Sequence, residues 1–166
     1  MANPLRQLLR PKSAADFTAQ LVANGGIKTA LDIGCGTSSH LSRFRPEVET
    51  TGLDAHIDAI DLAKERGVHD HYIQADILQD DIDAQFDLVT LNGLIEHLPK
   101  TDGLRLLDRI EKLSSKYILL ETPNGFVPQG PEFGNEFQRH HSGWFIHEFE
   151  GRGYTCLLYT SPSPRD

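Results

Sequence analysis

The stretch Thr29-Ala30-Leu31-Asp32-Ile33 has the composition of a short buried strand, and it runs straight into Gly34-Cys35-Gly36. This junction constrains the fold more than any other feature of the chain. Two glycines one residue apart at a strand end supply backbone conformations that other residues resist. Without side chains they also let a ligand approach the main chain closely.

The rest of the chain supplies the elements such a junction requires. Ser13 is placed to cap a helix, with Asp16 reaching back to it. Ala14, Phe17 and Leu21 follow at helical spacing, and Gly25-Gly26 ends the element. Past the glycines, Leu41 to Phe44 reads as a helix. Thr50 to Asp54 reads as a strand, and Ile57, Ile60 and Ala63 mark a helix stopping near Gly67. Further strands are expected at His71–Gln74, Phe86–Leu91 and Lys116–Glu121. A helix capped by Thr101 precedes the last of these, with Leu106, Leu107, Ile110 and Leu113 on its core face, and another helix is expected over Gly143–Phe149. Strands alternating with helices give an α/β chain whose central sheet is mostly parallel. With 166 residues and 39% hydrophobic content it suits one domain.

From Thr122 to Ser142 the texture changes to Pro, Gly, Asn and Gln, with Phe126, Phe133 and Phe137 among them. A loop this long inside a compact domain is expected to be functional, and aromatic residues suit a binding loop better than a solvated linker. The last residues, Cys156 to Asp166, resemble the in-frame translation of a transposase sequencing adapter, so the expected domain is 1–155 with 156–166 a non-native tail. Arg152 to Thr155 would then open a further strand that does not follow, leaving the Lys116–Glu121 strand with an uncovered edge.

The net charge is −8 and no block of lysine or arginine occurs, which disfavours a nucleic-acid partner. No stretch is apolar enough to cross a membrane, and arginines interrupt the apolar N-terminal run of Met1–Arg10, so a soluble cytoplasmic protein is the expectation. The two cysteines, Cys35 and Cys156, make neither a disulfide framework nor a metal cluster, and no acidic trio for a catalytic metal stands out. No metal is expected. The oligomeric state is left open.

The acidic residues after the junction narrow the ligand. Asp32 lies in the strand end, Asp54 ends the second strand about 20 residues on, and Asp76 follows the third. A dinucleotide site asks for a third glycine where Ser39 stands, and Asp32 would repel a pyrophosphate. S-adenosylmethionine (SAM) carries an ammonium and a sulfonium instead, so a carboxylate beside the turn attracts it. Asp54 suits the ribose of either ligand. A P-loop is excluded, because no Gly-Lys-Ser/Thr follows the turn.

In sequence order, Leu31-Asp32-Ile33-Gly34-Cys35-Gly36-Thr37, Gly52-Leu53-Asp54, Ala75-Asp76-Ile77, Phe86-Asp87-Leu88-Val89 and Glu96-His97-Leu98-Pro99 resemble the class I SAM-dependent methyltransferases. The resemblance covers roughly residues 14 to 154. It implies a Rossmann-like three-layer sandwich, with the last strands missing from this chain, and it implies SAM as cofactor. Gly34 and Gly36 would line its methionine part, with Asp32 near the amino group. Asp54 would hold the ribose hydroxyls, Asp76 the adenine amino group, and the Ile77 N–H the ring. Asn92 would lie beside the sulfonium. Cys35 is expected to be a packed residue at the turn.

The expected acceptor is a small molecule, a hydroxyl first. Removing its proton needs a base, and His97, His140 and His141 are the candidates. Trp144 is expected either in the pocket wall or in ordinary packing. The Asn/Asp-Pro-Pro-aromatic pattern of DNA amino-methylation is absent at Leu91-Asn92-Gly93-Leu94, and no Pro-Cys nucleophile occurs. Two other readings stay open at this point, an NAD-type oxidoreductase of the same layered class and an inactive SAM-binding fragment.

Overall fold

The computed structural model describes residues 13–131 and 138–158. The readings made for Met1–Arg10, Phe133, Phe137 and Tyr159–Asp166 lie outside them.

Ser13 caps helix α1 (Ala14–Gly25), its hydroxyl accepting the Asp16 N–H at 3.1 Å, and Gly26 closes the helix in the left-handed region at φ 61°. Among the described residues five strands follow: β1 (Thr29–Ile33), β2 (Glu49–Asp54), β3 (His71–Gln74), β4 (Phe86–Asn92) and β5 (Ser114–Glu121). They form one parallel sheet in the order β3-β2-β1-β4-β5. Helix α2 (Ile57–Glu65) packs on β2 and β3, and α3 (Lys100–Leu113) packs on β4 and β5. A short helix, α4 (Ile146–Glu150), follows β5.

Period-two alternation sorts the sheet's side chains into two cores. Ala30 and Leu88 join Leu21, Leu41 and Val48 on the α1 side. Leu31, Ile33, Val89 and Leu91 join Leu106, Leu107 and Ile110 of α3 on the other. β1 lies in the middle and is buried along nearly its whole length, as a strand covered on both faces must be. Each such leucine or isoleucine contributes roughly 1.5–3 kcal/mol by leaving water. The α/β class and the sandwich are therefore as expected.

Several local expectations need correction. His40–Phe44 is a single 3-10 turn capped by Ser39, because only Leu41 of it is buried. Helix α3 starts at Lys100; the Pro99 carbonyl, not Thr101, anchors its first turn by accepting from the Asp102 and Gly103 N–H groups. The helix expected over 143–149 begins only at Ile146, since the backbone at Trp144 bridges to Asn124 and Gly125 instead. Arg152–Thr155 forms no strand. Arg152 and Tyr154 fasten this segment to α3 through Asp108 and Glu111, and β5 is an edge of the sheet among the described residues.

Candidate functional site

The glycine turn sits at the C-terminal end of the central strand, where parallel sheets place their ligands. Gly34 and Gly36 have φ +69° and +54°, conformations in which a Cβ is strained. At Gly34 a Cβ would also press on the Leu94 side chain at 3.2 Å. The turn is clamped to β2: Gly34 and Cys35 donate to the Leu53 carbonyl at 2.8 and 3.1 Å, and Gly36 donates to Asp54 Oδ2 at 2.9 Å. A cavity of about 390 Å³ opens beside it, lined by Asp32, Gly34, Cys35, Ser39, His40 and Asn92 among others. That is the size of a small-molecule site.

Asp32 is 5% exposed. Thr90, its register partner on β4, donates to Oδ1 at 2.7 Å, and Ser39 donates to Oδ2. Burial pushes the carboxyl above its ordinary range, against the opposing pull of the two hydroxyls and of His69. His69 was not foreseen from sequence. Its ring is fully buried 3.7 Å from Asp32, neither ring nitrogen has a hydrogen bond among the described residues, and burial holds the imidazole below its ordinary range, against the pull of Asp32. The local signal is Gly52 in β2: a Cβ there would meet His69 at 2.6 Å and Cys35 Sγ at 2.9 Å. Glycine inside a buried strand marks such a close approach. Cys35 is buried, and desolvation with the charges of Asp32 and Asp54 pushes its thiol up to about 12, so it packs and does not attack.

The other expected cofactor residues are spread along the same strand ends. Asp54 is buried and braces the turn, accepting from Gly36 and, through Oδ1, from the His56 N–H at 2.9 Å. Asp76 is exposed and closes its own turn by accepting from the Leu78 N–H at 2.9 Å. Ile77 is buried in the α3-side core.

A second cluster forms just past β4. His97, in the turn Ile95–His97, meets His140 from the loop edge-to-face with ring centroids 4.9 Å apart. The link is main-chain: the Glu96 carbonyl accepts from the His141 and Ser142 N–H groups at 2.8 and 3.1 Å. His141 itself is exposed. The Glu96 side chain is buried, accepts from Thr122 Oγ1 at 3.1 Å, and faces Gly93. Partial burial and the neighbouring Glu96 charge push the Glu121 carboxyl above its ordinary range. Trp144 resolves to packing: it is 1% exposed, stacks on Phe149, donates to Ser142, and would collide with any side chain at Gly103. Lys100 lies 3.6 Å over its ring.

A larger cavity, about 550 Å³, runs along the outer edge of β5 between α1 and α4. It contains none of the turn residues, so the smaller cavity beside the glycine turn is the functional candidate.

Residues 30–116 match the model of a family described as "Methyltransferase domain". The ubiquinone biosynthesis O-methyltransferase of Shewanella pealeana is 37% identical over 91 residues, 48% of this chain and 38% of that protein. The chain thus spans well under two thirds of this relative's length. Among solved structures, the plantazolicin methyltransferase BpumL, in complex with S-adenosylhomocysteine (SAH), superposes with TM-score 0.64 at 24% identity, over 86% of this chain and 61% of that one. The sugar N-methyltransferase KedS8 from Streptoalloteichus sp gives 0.60 at 17%, over 70% and 51%.

Proposed function

This chain belongs to the methyltransferase-domain family, the class I SAM-dependent methyltransferases, and from that premise we propose that it transfers a methyl group from SAM to a small-molecule acceptor, a hydroxyl first. The observation that carries the reading is Asp32, a buried carboxyl beneath the glycine turn whose oxygens accept from the Ser39 and Thr90 hydroxyls and whose ionisable neighbours are His69 and Asp54. Such a group favours a cationic ligand, which disfavours the oxidoreductase alternative.

Asp32 would receive the ammonium of SAM, with the main chain at Gly34 and Gly36 beside its methionine part. Asp54 has lone pairs left for ribose hydroxyls, since each oxygen accepts one N–H. Asp76 and the Ile77 N–H would meet the adenine, and Asn92 the region of the sulfonium. When bound, SAM supplies a methyl group already activated by its sulfonium, so the protein's task is alignment and exclusion of water. His97 and His140 are the acceptor-activating groups. Each points Nδ1 at a carbonyl, Arg139 at 3.2 Å and Val127 at 2.7 Å, which fixes the Nδ1–H tautomer and leaves Nε2 as an acceptor. His141 contributes through its main-chain N–H, which fastens the loop. The hydroxyl preference is supported by the O-methyltransferase relative. The domain is proposed to occupy 1–155, with 156–166 outside it.

Calorimetry with SAH tests the cofactor, and transfer of labelled methyl from SAM to matched hydroxyl and amine acceptors tests the chemistry. SAH should bind, and Asp54→Ala should bind it more weakly. No binding at millimolar SAH overturns the reading, and label entering only amines overturns the hydroxyl preference.

A further inference from the structure

We infer that Glu96, His97 and His140 form a binding site for one divalent transition-metal ion beside the C-terminal end of β4. One carboxylate oxygen and one nitrogen from each imidazole lie within 4.8 Å of one another. Ligand atoms about 2.0–2.2 Å from a shared ion are at most about 4.4 Å apart, so small side-chain rotations close the set.

Three features make this more than a chance grouping. First, both imidazoles give their Nδ1–H to main-chain carbonyls, which leaves Nε2 of each with a free lone pair. That is how metal-bound histidines are held in register by their outer partners. Second, the Glu96 carboxylate is itself positioned: it is 5% exposed and Thr122 holds Oε2, while Oε1 faces Gly93, where a Cβ would stand 3.6 Å away. Third, the loop that brings His140 is not loosely draped. His141 and Ser142 are hydrogen-bonded to the Glu96 carbonyl, His140 N–H donates to the Gln129 carbonyl at 3.1 Å, and Trp144 anchors the following residues in the core.

Two imidazoles and one carboxylate suit ions of borderline softness, Zn²⁺, Fe²⁺ or Co²⁺, better than Mg²⁺ or Ca²⁺. Three protein ligands leave positions open, the pattern of catalytic sites and not of closed structural ones. Gly93, against which Glu96 lies, follows Asn92, which lines the cofactor cavity. The ion would therefore stand where an acceptor oxygen can fill an open position, its O–H acidified and the proton passing to solvent. That last role rests on the methyl-transfer reading and, with the ion bound, takes the place of direct proton removal by the two imidazoles; the metal site itself does not rest on that reading.

The test is a Co²⁺ titration of the full chain, followed by visible d–d absorption and calorimetry, with an SAH titration alongside. One Co²⁺ per chain should bind, displaced by Zn²⁺. His97→Ala should weaken binding at least about 100-fold, as loss of a ligand exceeds the 10–100-fold typical of outer partners. His71→Ala, on an exposed histidine paired with Glu49, should leave it unchanged. If circular dichroism shows His97→Ala unfolded, His140→Gln on the loop replaces it. Absence of absorption, or binding that survives both substitutions, overturns the inference. SAH binding without Co²⁺ binding overturns the metal site alone, and the reverse overturns the cofactor reading alone.

Discussion

Asp32 and Asp87 are aspartates on neighbouring strands of one parallel sheet, at its opposite ends, and they are handled in opposite ways. Asp87, at the start of β4, accepts the Lys28 N–H at 2.8 Å and pairs with Lys116 Nζ at 2.9 Å; these contacts, Lys116 first, hold its carboxyl below the usual range. It clips β1, β4 and β5 together. Asp32, at the end of β1, has hydroxyls for partners and is pushed upward by burial. A carboxylate with its cation supplied internally is a fastener. One left with hydroxyls at a cavity wall is, on the proposed function, open to a cation from outside. Both belong to the sequence pattern that suggested the family, and only the structure separates their surroundings.

The largest expected effect comes from exchanging each carboxyl for an amide. Asp32→Asn should weaken SAH binding by about 10–100-fold, the loss of one charge-assisted hydrogen bond of roughly 1.5–3 kcal/mol. Asp87→Asn should leave the affinity within about twofold. Calorimetry at one pH decides it. Equal losses in the two variants would mean that the two ends of the sheet do not divide ligand binding from fastening.

Next in size is stability. Asp87→Asn should cost about 0.5–1 kcal/mol, the value of an ion pair at the surface with one added N–H. The folded value is depressed, so the contribution is present above the unfolded carboxyl value of about 3.9 and lost as pH falls through the folded one. Urea melts at neutral pH should therefore separate parent from variant, and the gap should close below about pH 4. A gap that persists in acid would assign Asp87 a packing role instead.

The division between clear and hidden features follows from distance along the chain. β1 and β4 were legible because a strand covered on both faces is a continuous apolar run, β5 because Tyr117 to Leu120 form such a run even at the sheet edge, and α1 because Ser13 and Gly26 mark its ends locally. The glycine turn was legible for the same reason: Asp32, Gly34 and Gly36 are close neighbours. His69 was hidden, because its burial depends on the space left by Gly52 on another strand. The Glu96-His97-His140 cluster was hidden as a unit, because the pairing depends on main-chain bonds between a turn after β4 and a distant loop. Asp54 and Asp76 share strand-end positions in the sequence, yet one is buried against the turn and the other exposed.

The smallest effect is also the sharpest test of Asp32. Its folded value is raised, so its contribution to the ligand-free protein is complete below the unfolded value and declines as pH rises through the folded one. Relative to the parent, Asp32→Asn should melt equally in acid and a degree or two higher at pH 8. About 1 kcal/mol moves the midpoint by 2–4 °C in a chain of this size. Saturating SAH should reverse that gap, because its ammonium favours the ionised carboxyl that the amide cannot provide, and only the parent gains the extra stabilisation. If the variant stays ahead of the parent with SAH present, the ligand's cation does not reach Asp32, and the contrast with Asp87 reduces to burial alone.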